Sequence, residues 1–320
     1  MLKIQKNISL APLTTFKIGG LAKHFVEVSS ENEILEALDF AKENNLEIFV
    51  LGGGSNILVS DDGFNGLVIR MLNTSCIIHN TSIECGSGVL LSQIVKESAK
   101  NGLSGLEWAS GIPGTVGGAI RGNAGIPLGC MADNIECVKI LESQKSKVKS
   151  QNYNLKIKTL KKEECKFGYR SSIFKENKDF IIISAVLKLE KGDQEEISKK
   201  IKELIENRLK VVHPNPKEPS SGSFFKNPKV DNLELIANFE KDTGQKAIDG
   251  KIPAGWLIDE VGLRGKKIGG AQVSEKHANF VVNIGNAKAQ DIVMLSSLIK
   301  MKVRDELGVQ LSEEIKYVGF

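Results

Sequence analysis

The chain has 320 residues, 41% hydrophobic and 26% charged, which is the composition of an ordinary globular protein too long for one compact core. A net charge of +4 gives no nucleic-acid footprint, and neither a signal core nor an apolar run beyond strand length is present, so a cytoplasmic protein without a membrane partner is expected. Cys76, Cys85, Cys130, Cys137 and Cys165 form no C-x-x-C pair and histidines stand only at 24, 79, 213 and 277, so reduced thiols and no metal site are expected.

Strand-like runs are predicted at 23–28, 46–51, 67–69, 77–85, 138–141, 180–189 and 280–284. Four helices alternate with them. Ser30 caps the first, with Glu33 completing a capping box and Ile34, Leu35, Leu38 and Ala41 on one face. The apolar run 47–51 then feeds Gly52-Gly53-Gly54-Ser55-Asn56. No Gly-Lys-Ser/Thr follows, so this is not a P-loop, and strand-like sequence follows in place of the helix that a dinucleotide G-x-G-x-x-G opens. Alone, it reads equally well as a tight turn between strands.

A second helix carries Leu91, Ile94, Val95 and Ala99, and Gly102 can close it in a left-handed cap. Next comes Gly111-Ile112-Pro113-Gly114-Thr115-Val116-Gly117-Gly118, which opens a stretch with six glycines from Gly111 through Gly125. Glycine lets successive N–H groups turn into one concavity, so the two loops together suggest a diphosphate held from both sides. The segment 145–162 has seven lysines and no acid, and reads as a solvated hairpin face. A third helix begins at Asp193 and stops before Pro214-Asn215-Pro216, the clearest domain boundary. The last helix runs from about Ala289 through Leu307 to Gly308. The pattern is α+β, with antiparallel pairings.

Four further segments carry polar chemistry. Phe167-Gly168-Tyr169-Arg170-Ser171-Ser172 offers a guanidinium, either a strand-edge ion pair or a stabiliser of substrate charge. Ser220-Ser221-Gly222-Ser223-Phe224-Phe225-Lys226-Asn227-Pro228 follows the proline boundary. No histidine stands at triad spacing, so a Ser nucleophile is not supported, while a hydroxyl proton donor is. Gly255-Trp256-Leu257-Ile258-Asp259 and the stretch 269–280 read as a polar patch suited to a nucleotide- or sugar-facing loop. Leu311-Ser312-Glu313-Glu314-Ile315 places two carboxylates near the C-terminus.

In this order, from Thr14-Thr15-Phe16-Lys17-Ile18-Gly19-Gly20 through the two glycine loops, Tyr169-Arg170 and Gly222–Pro228 to the last residues, the motifs resemble the UDP-N-acetylenolpyruvoylglucosamine reductase family, flavoenzymes of peptidoglycan precursor synthesis. The resemblance implies an α+β chain: a two-subdomain FAD-binding fold of the covalent-flavin-oxidase type, plus a C-terminal α+β substrate-binding domain. The implied boundaries are 1–73, 74–205 and 206–320, with a return of the last residues to the first subdomain left open.

It further implies FAD held non-covalently by Gly52, Gly53, Gly54, Ser55, Asn56, Gly111, Pro113, Gly114, Thr115, Gly117 and Gly118. No histidine lies in or beside either loop to tether a flavin, and Cys130 is not assigned that role. NADPH and UDP-N-acetylglucosamine enolpyruvate are the implied co-substrate and substrate, used in two successive half-reactions. By the resemblance, Arg170 and Glu314 stabilise the enolate and Ser223 hands it a proton, with Glu313 the competitor of Glu314. Tyr169, Lys226 and Asn227 are implied substrate contacts. Val211-Val212-His213 stands where the family often has a lysine, so Arg208 or Lys210 substitutes for it. The form lacking an extra tyrosine loop is favoured, with Tyr153 as the one residue that leaves room for the other. A monomer is expected. The competing readings are an oxidase on the same FAD fold and a catalytically inactive nucleotide-sugar binder.

Overall fold

The computed structural model describes residues 2–143, 155–212 and 218–320. Tyr153, His213 and Pro214-Asn215-Pro216 lie outside the described residues, as does much of the lysine-rich stretch. The chain forms two units: residues 1–6, 24–53 and 66–208 make the first, and residues 7–23, 54–65 and 209–320 the second.

In the first unit, a four-stranded sheet has the order Gln5–Ser9, Leu21–Val28, Phe64–Met71, Ile48–Leu51, the last pair parallel; its first three strands start or end in segments of the other unit. The helix Glu31–Glu43 carries the predicted capping box, with the Glu33 N–H donating to Ser30 Oγ. Its Ile34, Ala37, Leu38 and Ala41 pack with Leu67, Ile69 and Met71, and with Leu141, Ile181 and Ile183 of a second sheet. That sheet is antiparallel, ordered Leu155–Lys161, Ile135–Ser143, Phe180–Lys188, Ser82–Gly86, Cys76–His79. Its other face is covered by Leu91, Ile94 and Val95 of the helix Leu91–Lys100 and by Val116, Ala119 and Ile120. Burial on both faces is why the strand Phe180–Lys188 is apolar almost throughout instead of alternating. The expected single run 77–85 is two strands joined at Asn80-Thr81, and Asn80 adopts φ +52°, which asparagine tolerates.

In the second unit, an antiparallel sheet runs Ser220–Ser223, Phe280–Asn283, Ala271–Val273, Lys267–Ile268. The helix Ala289–Leu307 ends at Gly308 (φ +68°) as expected. Its first turn is tied by Asp61, whose two carboxylate oxygens accept from the N–H groups of Ala289 (2.9 Å) and Gln290 (3.2 Å). The strand Lys316–Val318 pairs in parallel with Ile57–Val59. Gly20 packs onto the loop between them and Phe64: a Cβ there would stand 2.2 Å from the Asp61 carbonyl oxygen. Two helices of this unit, Leu233–Thr243 and Ala254–Glu260, were not predicted. No helix among the described residues is long and apolar enough to cross a membrane.

Candidate active site

The two glycine loops meet within the first unit. A Cβ on Gly53 would lie 2.7 Å from Gly114 Cα, and one on Gly52 would lie 2.6 Å from Thr115 Oγ1. The loops therefore abut as one backbone surface at these residues, and the expected grip from two opposed sides is not what the chain builds there. Among the described residues no acceptor takes the backbone N–H of Gly53, Gly114 or Thr115. These are the groups an anion would satisfy.

Other parts of the second loop are committed to structure. Thr115 caps the unpredicted helix Val116–Gly122, its Oγ1 accepting from the Gly118 N–H. The Gly117 N–H donates to the Ser87 carbonyl (2.9 Å), and a Cβ there would stand 2.7 Å from Ser87 Cβ. Gly117 thus serves close packing, and its N–H is not offered to a cofactor. Arg208, expected at the substrate, donates from Nη1 to the Ser110 carbonyl (2.7 Å) beside Gly111. It braces the loop. Lys210 is exposed and in the second unit.

Sequence reasoning missed Arg121 on the helix Val116–Gly122. Burial pushes its pKa down, and no carboxylate pairs with it among the described residues. The available signal was a lone cation in a helix otherwise made of glycine and small apolar residues.

Tyr169 and Arg170 form the tip of a tight turn in the first unit. Gly168 and Ser171 exchange backbone hydrogen bonds (3.0 and 3.2 Å), and Arg170 takes φ +53°, unusual for a residue with a Cβ. Neighbours hold the turn in place: Asn123 Nδ2 donates to the Gly168 carbonyl, Ser172 Oγ to the Arg121 carbonyl, and Lys175 Nζ to the Arg170 carbonyl. The guanidinium carbon stands 5.4 Å from the centre of the Tyr169 ring, which is half exposed.

In the second unit, two segments expected at the site lie side by side. The Glu314 N–H donates to the Phe224 carbonyl (2.8 Å) and the Lys226 N–H to the Ser312 carbonyl (2.9 Å). The backbone that carries Ser223 is thereby locked in register with the one that carries Glu314. Phe224 and Phe225 are buried beneath, anchoring the strand. The Glu313 carboxylate is bound to Lys300 Nζ at 2.6 Å. The Asn227 side-chain oxygen accepts from the Ala254 N–H (3.0 Å). At the first loop's other end, Gly54 (φ +62°) accepts at its carbonyl from the Thr15 N–H, and Asn56 Nδ2 donates to the Glu314 carbonyl (3.3 Å).

The polar patch expected at 255–259 is overturned. These residues belong to the helix Ala254–Glu260, with Leu257 and Ile258 fully buried and Trp256 edge-on to Phe239. Gly255 is there because the His277 ring packs on it, Cε1 standing 3.1 Å from where a Cβ would be. Burial pushes the His277 pKa below its ordinary value, and the neutral ring accepts the Asn279 N–H at Nδ1. A folded pKa below the unfolded one means that stability from this site is full above about pH 6.5 and is lost as pH falls from there through the folded pKa. His277→Asn retains an acceptor and removes the titration. Its unfolding midpoint should fall less than that of wild type between about pH 7.5 and 5.5 in thermal melts.

Comparison with known proteins places this geometry. Residues 214–318 match the UDP-N-acetylenolpyruvoylglucosamine reductase C-terminal domain, and residues 22–148 match the FAD binding domain. The UDP-N-acetylenolpyruvoylglucosamine reductase of Carboxydothermus hydrogenoformans is 40% identical over 319 residues, covering 99% of this chain and 94% of its own. That of Solibacter usitatus is 32% identical over 99% of this chain and 97% of its own. The chain belongs to the UDP-N-acetylenolpyruvoylglucosamine reductase family. The crystal structure of the family's enzyme from Thermus caldophilus superposes with a TM-score of 0.76 at 32% identity, covering 99% of this chain and all of that one.

Both glycine loops fall inside the FAD-binding match. The residues present fit that cofactor: the Gly53–Gly114 seam has no room for side chains and presents unclaimed N–H groups, which suits a diphosphate. Gly53, Gly114 and Thr115 would hold it.

Proposed function

We propose that this chain reduces UDP-N-acetylglucosamine enolpyruvate to UDP-N-acetylmuramate at the expense of NADPH. The reading rests on full-length family membership together with one observation, the locked register between the strand after Ser223 and the segment bearing Glu314. FAD, held at the Gly53–Gly114 seam, would supply the hydride transfer from NADPH to the terminal vinyl carbon. Arg170 stabilises the negative charge that then spreads from the adjacent carbon into the substrate carboxylate, as preorganised charge does for a developing anion. Ser223 gives its proton to that adjacent carbon, completing addition across the double bond, and regains a proton from solvent. Tyr169, Lys226 and Asn227 contact the substrate, while Arg208 keeps the second glycine loop in shape. The enzyme works as a cytoplasmic monomer, which light scattering of the purified protein would check.

Glu314 is assigned the catalytic carboxylate on the resemblance of Leu311–Ile315 to the family's terminal motif, and Glu313, bound to Lys300, is the competitor. Glu314→Gln should slow substrate reduction by about a hundredfold or more with little change in melting temperature. Glu313→Gln should shift stability by about 1 kcal/mol or less, since the pair is partly exposed, and leave the rate near wild type. The reverse pattern would exchange the two roles.

Stopped-flow mixing tests the whole reading. NADPH should bleach the flavin absorbance, and the enolpyruvyl nucleotide should restore it without oxygen. A colourless protein, or oxygen uptake with a small alcohol and no nucleotide-dependent NADPH use, would overturn it.

A further inference from the structure

We infer that Asn279 is a positioning residue that sets the geometry of Ser223 and Glu314; the inference rests on the function proposed above. The strand Ser220–Ser223 pairs with Phe280–Asn283 at Ser220↔Val282 and Ser223↔Phe280, leaving one surplus residue on the serine side. The bulge falls at Ser221-Gly222, where Gly222 takes φ +77°. Bulges of this kind re-aim a side chain, here Ser223 immediately after it. A bulged strand end needs something beyond it to hold its direction.

Asn279 supplies that hold. Its side chain is 3% exposed and occupies both polar groups of one peptide residue: the Phe225 N–H donates to Oδ1 (2.9 Å), and Nδ2 donates to the Phe225 carbonyl (2.9 Å). Only one amide orientation satisfies both bonds. Its own carbonyl accepts the Phe224 N–H (2.8 Å), and the Phe224 carbonyl in turn accepts the Glu314 N–H (2.8 Å). The buried side-chain amide of Asn279 therefore grips Phe225, and the backbone carbonyl of Asn279 holds Phe224, whose own carbonyl leads to Glu314.

The test uses the flavin-loaded enzyme. Asn279→Asp keeps shape and the acceptor but sets an oxygen against the Phe225 carbonyl. Flavin reduction by NADPH and the flavin spectrum should be unchanged. Reoxidation by saturating enolpyruvyl nucleotide should be about a hundredfold slower, the cost of a misplacement near 1 Å, with KM little changed. On a Ser223→Ala background the same substitution should add little, because it acts through the placement of that hydroxyl. Equal slowing of both half-reactions, a fully additive effect on that background, or an unchanged rate would each overturn the inference. Should the Asp variant fail to fold, Asn279→Gln, which keeps both groups on a longer arm, is read by the same criteria. Wild-type reoxidation by Ser223→Ala alone would sink the proposed function itself. Slow Ser223→Ala beside a fully active Asn279→Asp would remove only the positioning role.

Discussion

Ser223→Ala should leave reduction of the flavin by NADPH within about twofold of wild type and slow the step that consumes the enolpyruvyl nucleotide by about three orders of magnitude, the range a positioned proton donor supplies. The first half-reaction moves a hydride without needing a donor from the protein. The second creates a carbanion-like enolate that is basic enough to take a hydroxyl proton when the two are aligned. Ser223 is partly exposed and sits at the end of a strand followed by Phe224, buried and hydrogen-bonded to Asn279 and Glu314, and Phe225, buried and hydrogen-bonded twice to Asn279. Truncating the hydroxyl removes no packing of consequence, so the melting temperature should hold. Single-turnover kinetics on the pre-reduced enzyme reads the effect directly. Equal slowing of the two half-reactions would show that Ser223 is not the donor.

Gly53→Ala should produce a folded protein that purifies with little or no flavin, its Kd for FAD raised about a hundredfold. The added Cβ would stand 2.7 Å from Gly114 Cα, and neither residue has a side chain that can swing aside. The backbones must separate, and the N–H groups that would face a diphosphate lose alignment. Each hydrogen bond to a charged group is worth about 1.5–3 kcal/mol, so misaligning one or two gives the stated loss. Gly118→Ala is the control, because its Cβ would meet Thr115 Oγ1 at an ordinary 3.6 Å. That variant should keep its colour. Fluorescence titration of the apoproteins with FAD measures both, and unaltered affinity in Gly53→Ala would remove the seam from the cofactor site.

Local signals carried a good part of the structure. The Ser30–Glu33 box, the Asp193 cap and the Gly308 stop were legible because each is a contact among residues four or fewer apart. The helices Leu233–Thr243 and Ala254–Glu260 are not predicted from the sequence, the second because it reads there as part of a polar loop patch. Their conformation is chosen by packing, Trp256 on Phe239 and Gly255 beneath His277.

The site divides the same way. The residues proposed to bear the chemistry, Arg170, Ser223 and a C-terminal glutamate, come from the order of motifs along the chain. That Glu313 is held by a lysine, and what each glycine does, could not be read there. Glu313 is set apart by Lys300, 13 positions away. Gly53 and Gly114 are defined by each other across a gap of 61 positions, and Gly117 by Ser87. Asn279 reads in the sequence as one more polar residue in a polar stretch. Its grip on Phe225, 54 positions away, exists only once two strands are brought together. The amino-acid sequence by itself determined the local conformations at the caps and the family to which the chain belongs, since these depend on side-chain chemistry, near neighbours and the order of motifs. Only the tertiary structure decided which N–H groups stay unclaimed, that Lys300 holds Glu313 and what aims the serine, because each depends on distances between segments apart along the chain.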